Sequence, residues 1–474
     1  MCGIVGIISK QDVLPDVFVG MLSIQHRGQD SCGIVSYSDK MNLIKDEGLV
    51  SSVFSEKELT KLKANIAIGH TRYPTVGSDF TVDAQPFMVS KPYEIGIAHN
   101  GNLVNYVELK KDLNLKNNCV VSSCDVEAIL HVFAQALPEE FSIEALFEAV
   151  KKVFEKAKGG YSVLMLIKDK GLLAFRDPHA IRPFVVAEKT VDGIKSIGFS
   201  SESLPLTSTG FKIIGNVEAG EAIFVDSNLK ITSKKLAKES PAHCMFEWVY
   251  FSAAESILEN LEVYTARINL GKELANAWKK TGLKADVVVP VPDTSRTAAS
   301  SLAEEIGLPY REGLIKNRYI GRTFIMASQA KRENSVKLKL NPVESEINGK
   351  RILLVDDSIV RGTTSKKIVK LLKEHGAEKV YFLSTCPPII SPCFYGIDMP
   401  SKAELIAARL SVEEIRKEID ADYLLYNSVD ALKKALGIKD LCLACLTGKY
   451  PVSVPKETEQ EFEKKRIEER KEHK

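Results

Sequence analysis

Short apolar runs and polar breaks divide the chain into two halves with different rhythms. The first half has strand-length runs separated by turn residues, from the strand-like MCGIVGIIS at the front to GGYSVLMLI (Gly159–Ile167), LLAFRDPHAIRPFVV (Leu172–Val186) and the segment around SSES (Ser200–Ser203). The second half alternates helical and strand patterns. Tyr264–Trp278 carries apolar residues at helical spacing, and Ala285–Thr297 reads as a buried strand running into a Pro/Asp/Thr turn. Ile352–Val355 is a continuous apolar run, and Lys366–Leu372 returns to helical spacing, which predicts a helix beginning near Ser365. This order, from Ala285 through Leu383, predicts a mainly parallel sheet covered on both faces, with ligands at the C-terminal ends of its strands.

The break between the halves falls where the sequence turns basic and polar, Lys230–Ser240, before CMFEWVYF begins at Cys244. The expected domains are residues 2–235 and 244–455. Lys456–Lys474 is almost wholly charged without an apolar face, which predicts a frayed helix or disordered tail.

RILLVDDSIVRGTTS (Arg351–Ser365) is the most chemically explicit stretch. Ser358, Gly362, Thr363 and Thr364 offer hydroxyls and close-approach backbone N–H groups beside a helix N-terminus, an arrangement that holds a phosphate monoester. Asp356 and Asp357 beside such a cradle would repel the anion unless they meet hydroxyls or a divalent cation. A phosphorylated ribose with magnesium meets that requirement. The stretch lacks both the Gly-Lys-Ser/Thr ending of a nucleotide-triphosphatase loop and a GxGxxG fingerprint.

Composition narrows the partners. Lys+Arg 64 against Asp+Glu 62 leaves a net charge of +2, so no global field favours nucleic acid or an anionic membrane. No apolar run approaches the roughly 18 residues of a membrane span, and no basic-then-apolar leader opens the chain, so a cytoplasmic protein is expected. Nine cysteines spread irregularly over 474 residues do not look like a disulfide scaffold.

One of those cysteines, Cys2, directly follows the initiator. Removal of Met1 would leave one residue carrying both a thiol and a free α-amine, a nucleophile with its own base. Downstream come HRGQDS (His26–Ser31), HTRYPT (His70–Thr75), HNGN (His99–Asn102) and SSCD (Ser122–Asp125). In this order after an N-terminal Cys-Gly-Ile, they resemble the glutaminase domain of class II amidotransferases, which are N-terminal-nucleophile hydrolases built as an αββα sandwich. The resemblance implies that Cys2 attacks the glutamine carboxamide and that Asn100 and Gly101 hold the oxyanion. Arg72 and Asp125 would grip the α-carboxylate and α-ammonium. His26, His70 and His99 are expected in structural hydrogen-bonding roles, Arg27 as a scaffold charge and Tyr73 in a loop closing over glutamine. The family often has Gly where Ala180 stands, which puts a tight turn there in question.

The stretch VDDSIVRGTTS likewise resembles the ribose-phosphate loop of type I phosphoribosyltransferases, whose substrate is phosphoribosyl pyrophosphate (PRPP). By that resemblance residues Asp356, Asp357, Ser358, Val360, Arg361, Gly362, Thr363 and Thr364 bind PRPP. Asp293–Arg296 would face the pyrophosphate, and Thr294 would join Asp356 and Asp357 around Mg2+. Between the loops a basic run, with Lys316, Arg318, Arg322, Lys331, Arg332, Lys337 and Lys339 against Glu333, is long enough to close over pyrophosphate.

Both units in one chain resemble the two-domain enzymes that open de novo purine synthesis. Those enzymes convert glutamine, PRPP and water to 5-phosphoribosylamine, glutamate and pyrophosphate, with ammonia crossing an enclosed passage. The resemblance implies a homotetramer and feedback inhibition by purine nucleotides. Cys442 and Cys445 form a CxxC that alone is compatible with zinc, redox chemistry or packing. With Cys244 and Cys393 they match the positions of a [4Fe–4S] cluster in the iron–sulfur branch of these enzymes. Structural zinc is the alternative occupant, and Cys386 confuses the count. Two departures stand out. That branch often carries a short propeptide, whereas Cys2 here needs only loss of Met1, and FSAAES (Phe251–Ser256) replaces a usual Arg-Pro pair. A different amidotransferase would need a sugar-isomerase domain in place of VDDSIVRGTTS. A PRPP or nucleotide sensor without catalysis would have no use for Cys2, Arg72, Asn100 and Asp125.

Overall fold

The computed structural model describes residues 2–55, 59, 63–73, 82–115, 120–317 and 340–472. Most of the HTRYPT loop after Tyr73 and all of the basic run after Lys316 lie outside the described residues.

Two antiparallel sheets stack in the first half. In the seven-stranded sheet, Gly3–Ser9 lies at the centre, paired with Ile66–Arg72 on one side and Ile194–Ser200 on the other. The six-stranded sheet holds Ile95–Leu103 against Gly159–Ile167. Because strand side chains alternate between faces, Ile4 and Ile8 point into the layer between the sheets with Ala98, Leu164 and Leu166, while Val5 and Ile7 meet helix Leu14–Ser23. Helices Asp125–Ala136 and Ile143–Lys156 cover the other sheet through Ile129, Phe133, Leu146 and Val150. The result is the expected αββα sandwich. Its central strand starts at the residue after Cys2, so the front of the chain is one of its most firmly held parts.

The second half contains a four-stranded, wholly parallel sheet, ordered Val287–Pro290, Arg351–Asp356, Lys379–Ser384, Tyr423–Tyr426. Ile352 and Leu354 pack to one side with helix Thr363–Glu374, and Leu353 and Val355 to the other with helices Val263–Lys279 and Arg296–Ile306. Burial of both faces is why the strand reads as an unbroken apolar run. The helix after the acidic pair starts at Thr363, two positions before the expected Ser365, because Gly362 at φ +78° turns the chain directly into it.

A further apolar cluster joins the halves. It brings Val104 and Ile181 together with Met245, Trp248, Leu270, Tyr395 and Leu446. Lys456–Glu472, expected as a frayed helix or disordered tail, is a helix. Its Thr458 hydroxyl donates to Val104 O at 2.7 Å, and Phe462 packs edge-on against Phe394 at 5.3 Å. No helix among the described residues is long and apolar enough to cross a membrane.

Candidate active site

Cys2 lies at the mouth of the first sheet, 9% exposed, its Sγ 3.9 Å from Tyr73 O. The register of the central strand places it beside the C-terminal end of Ile66–Arg72, since Gly3 faces Thr71. Arg72, the last residue of that strand, is buried, with its guanidinium 3.7 Å from the Asp83 carboxylate. From the facing sheet comes Asn100, fully buried. Its amide donates to Ser201 Oγ at 3.3 Å, and its carbonyl oxygen has no hydrogen-bond partner among the described residues. Ser201 Oγ also receives Ile4 N at 3.2 Å, so one hydroxyl ties the strand behind the nucleophile to the candidate oxyanion donor. Gly101 admits no side chain, because a Cβ there would lie 2.2 Å from Gly160 O. Asp125 opens helix Asp125–Ala136, where its carboxylate accepts Leu103 N at 2.7 Å and stands 3.1 Å from His99 Nε2. The five residues expected around glutamine therefore converge from two sheets and one helix N-terminus.

His26 and His99 are held by hydrogen bonds, to Glu202 at 2.9 Å and to Gln85 at 3.0 Å. Burial pushes the His70 imidazole well below its ordinary pKa, so it is neutral. Burial also raises the Cys124 thiol, and Ser123 is bonded to Asp83, which leaves neither as a nucleophile.

At the second site, Pro290 and Val355 are paired neighbours on adjacent parallel strands. The 291–295 turn and Asp356–Asp357 therefore leave the same end of the sheet side by side, as the strand-end rule requires. Burial, with the neighbouring carboxylate, pushes Asp356 well above the usual carboxylate range, and burial lifts Asp357 to about 6. Such a pair is uncomfortable empty of cations and hydroxyl donors. Ser358 Oγ donates to Asp357 at 2.9 Å. Arg361 is exposed, its Nε 3.2 Å from Glu404. Thr363 and Thr364 start the helix behind Gly362. Thr294 sits in the turn before helix Arg296–Ile306, whose Arg296 pairs with Asp293 and Glu312.

A cavity of about 300 Å³ lies between the two halves. His26, Arg27 and Tyr73 line it from the first half and Ser358, Val360 and Arg361 from the second, with Tyr250, Phe251 and Asp398 between. Tyr73 closes one side by donating its hydroxyl to Asp398 at 3.1 Å.

Comparison with known proteins accounts for both halves. Residues 70–208 match the family model described as glutamine amidotransferase domain, and residues 254–391 the phosphoribosyl transferase domain. Amidophosphoribosyltransferase of Pseudomonas aeruginosa is 44% identical over 448 residues, covering 92% of this chain and 89% of that protein. The enzyme of the same name from Methanocaldococcus jannaschii is 43% identical, covering 96% and 98%.

The chain belongs to the amidophosphoribosyltransferase family.

The solved structure of glutamine PRPP amidotransferase from B. subtilis, complexed with ADP and GMP, superposes with a TM-score of 0.87 at 38% identity over 96% of this chain and 98% of that one. Membership makes this chain a transferase of purine biosynthesis that combines a glutamine amidotransferase unit with a phosphoribosyltransferase unit.

The cysteines expected at a metal centre of this family member share one neighbourhood. Cys244 and Cys442 are paired residues on two short parallel strands, and Cys445 and Cys393 belong to the same apolar cluster. Burial raises the thiols of Cys244, Cys442 and Cys445, the nearby Cys393 sulfur adds to the rise at all three, and Cys386 acts on Cys445 as a fifth member. All are free thiols. Among the described residues no group of three or more His, Cys, Asp or Glu side chains is arranged to hold a metal ion.

Sequence reasoning missed the acids that hold the junction. Arg27 is buried, with Nε on Cys2 O at 3.0 Å and its Nη groups on Glu202 and, at 2.8 and 2.9 Å, on Glu247. Arg182 stands 3.5 Å from Glu247, and Arg176 reaches Glu259 at 2.6 Å. The legible signal was an acid inside an apolar run: Glu247 in CMFEWVYF had to be either exposed or paired. Ala180 makes the turn that its extra methyl put in question, at φ +47°, and its carbonyl accepts Arg176 at 2.9 Å.

Proposed function

We propose that this chain converts glutamine, PRPP and water to 5-phosphoribosylamine, glutamate and pyrophosphate through two sites joined by the cavity. The domains are residues 2–235 and 244–455. Cys2, freed of Met1, attacks the γ-carboxamide, and its own α-amine takes the thiol proton and returns it to the departing ammonia. The Asn100 amide and Gly101 N–H receive the oxyanion, Arg72 the substrate carboxylate and Asp125 its ammonium. Water then hydrolyses the thioester to glutamate and regenerates the thiol. Ammonia crosses to C1 of PRPP, held by residues 356–358 and 360–364, and displaces pyrophosphate. The observation that supports this reading is the cavity between the halves, lined by Arg27 and Tyr73 on one side and by Ser358, Val360 and Arg361 on the other, since free ammonia would be protonated and diluted in bulk water.

Asp356, Asp357 and Thr294 would hold Mg2+, and the buried acidic pair fits a divalent cation. Bound there, the ion would offset charge on the diphosphate. Cys244, Cys393, Cys442 and Cys445 would hold a [4Fe–4S] cluster; the support is that all four belong to one apolar neighbourhood and offer only sulfur donors. The cluster would staple the C-terminal segment to the junction rather than carry electrons. Absorbance near about 400 nm with matching iron and sulfide supports it, and colourless zinc-loaded protein would replace it. The reading extends to a cytoplasmic homotetramer and to inhibition by purine nucleotides, as the ADP and GMP of the B. subtilis complex suggest.

The test is glutamate and pyrophosphate release by anaerobically purified protein given glutamine and Mg2+, with and without PRPP. The two products should appear together only with PRPP, and Cys2→Ala should lose glutamine use but keep ammonia use. Glutamate without pyrophosphate in the presence of PRPP would refute the coupled reaction.

A further inference from the structure

Residues 83–85 lie between strand Ile66–Arg72 of the seven-stranded sheet and strand Phe87–Val89, which pairs with Ile95–Leu103 in the six-stranded one. Lys45, on strand Met41–Glu47, pins this segment by donating Nζ to Ala84 O while its ammonium sits 4.2 Å over the Phe87 ring. Gly33, on the neighbouring strand Ser31–Tyr37, admits no side chain here, since a Cβ would lie 2.4 Å from Gln85 O. Asp83 and Gln85 are both buried. One Asp83 oxygen accepts Ser123 N at 2.8 Å, and the other accepts the Ser123 hydroxyl and stands 3.7 Å from Arg72 Nη2. That carboxylate ties the guanidinium to the turn that ends in Asp125. Gln85 supplies a second tie. Its Oε1 accepts His99 N at 2.8 Å, and because a backbone N–H can only donate, this contact fixes which end of the amide is oxygen. Nε2 therefore donates, to His99 Nδ1 at 3.0 Å and to Cys124 Sγ at 3.4 Å. An imidazole that accepts at Nδ1 carries its hydrogen on Nε2. His99 Nε2 stands 3.1 Å from Asp125 Oδ1, in contact though without the geometry of a hydrogen bond, while Asp125 Oδ2 accepts Leu103 N at 2.7 Å.

We propose that Asp83 and Gln85 are positioning residues that set the spacing and direction of Arg72 and Asp125, and with them the preference for a free α-amino acid over amides that lack one of its charged groups. The proposal rests on the reading above of Arg72 as the grip on glutamine's carboxylate and Asp125 as the grip on its ammonium. A guanidinium binds a carboxylate well only when its planar fork is aimed. At 3.7 Å Asp83 attracts the Nη2 end of that fork without taking a short hydrogen bond from it, so it aims the group more than it occupies it. At the other grip, His99 Nε2 and Leu103 N each face one oxygen of Asp125 and keep the carboxylate from turning, and Gln85 decides that the His99 nitrogen there carries a hydrogen. Neither Asp83 nor Gln85 touches the reacting atoms in this scheme; each acts through its neighbour.

The test follows hydrolysis of glutamine beside two analogues, with PRPP and Mg2+ present: 4-aminobutanamide, which lacks the α-carboxylate, and 4-carbamoylbutanoate, which lacks the α-amine. Asp83→Asn keeps the size of the side chain and the acceptor for Ser123 N but turns an amide donor toward Arg72. It should lower the preference for glutamine over 4-aminobutanamide, taken as a ratio of kcat/KM values, by about tenfold, and leave the preference over 4-carbamoylbutanoate within about twofold. Gln85→Met removes the amide at similar length and should do the reverse. An analogue too slow to follow is scored by its inhibition constant against glutamine hydrolysis, relative to the KM for glutamine. Each preference is a ratio on one sample, so loss of folded protein cancels. A fall in both preferences with either variant overturns the proposal, because it marks a general distortion of the site, and so does no change in either. A rise in preference with Asp83→Asn also overturns it, since Asp83 would then be a competitor of the substrate for Arg72. Each variant tells on its own, so the proposal stays open to refutation if one of them does not fold. If the unaltered enzyme hydrolyses both analogues as well as glutamine, the reading of Arg72 and Asp125 fails first and separately.

Discussion

Asn100 shows how much chemistry a single buried amide can carry. Its carbonyl oxygen has no partner among the described residues and one amide hydrogen is spent on Ser201, which leaves the other for a developing oxyanion. Asn100→Ala should lower kcat for glutamine hydrolysis by roughly 10²- to 10³-fold, the usual cost of one oxyanion donor, without affecting ammonia-dependent synthesis. Steady-state assays with each nitrogen donor check it. At Ala180, a non-glycine residue at φ +47° carries left-handed strain of about 1–2 kcal/mol. Ala180→Gly relieves that strain and gives back about 0.4–1 kcal/mol to unfolded-chain entropy. Thermal unfolding should therefore show a small rise in Tm and no change in either activity. Residues with an exposed chemical signature, such as Cys2 and the Asp356–Asp357 pair, could be read from the sequence because chemistry restricts which types can stand there. Ser201 and Glu202 could not be read in the same way. Their roles depend on which strand lies opposite, and no local pattern encodes that.

Elements were legible where burial imposes a period. The parallel strand at Ile352–Val355 is apolar on both faces, and the helix after it has one apolar stripe, so both were read correctly and only the start of the helix moved. The shift comes from Gly362, whose φ of +78° sets the entry angle. A Cβ there would also fall 2.6 Å from Ile406 Cδ1. Gly362→Ala is expected to cost about 1–3 kcal/mol through strain at that φ, and to raise the KM for PRPP more than it lowers kcat, because the loop shifts before the chemistry does. Denaturant unfolding and ammonia-dependent kinetics separate the two effects. The C-terminal helix was read only as a frayed helix or disordered tail for the opposite reason. Its sequence is nearly all charge, and it is held through the ring of Phe462, the hydroxyl of Thr458 and the carboxylate of Glu463, which accepts Lys402 N at 2.8 Å, too few apolar positions to make a period.

At the scale of the whole molecule, the halves are joined by buried carboxylate–arginine contacts as well as by apolar surface. Burial works against the ionised forms of Glu202 and Glu247, yet His26 and Arg27 for the one, and Arg27 and Arg182 for the other, hold both below the ordinary glutamate range. A depressed folded-state pKa gives stability that is complete above the unfolded value of about 4.3 and is lost as pH falls toward the folded one. The stability these two glutamates supply should therefore fall away on the acid side below about pH 4.3, lowering the unfolding midpoint in denaturant there. Glu247→Gln should flatten that acid limb, which a pH series of urea melts would show. The two-strand ladder that brings Cys244 beside Cys442 bears on how the protein is made as well as on what it does. A ribosome delivers the first sandwich, nucleophile included, long before it delivers the strand Leu441–Cys442 that Cys244 needs. The glutaminase half can fold early, since the apolar cores of its sandwich lie within its own stretch of chain, but the junction can close only when synthesis is nearly finished. Until that strand arrives, the nascent chain holds a formed ammonia-releasing site without its finished connection to the acceptor, and the last residues translated convert two neighbouring folds into one enzyme.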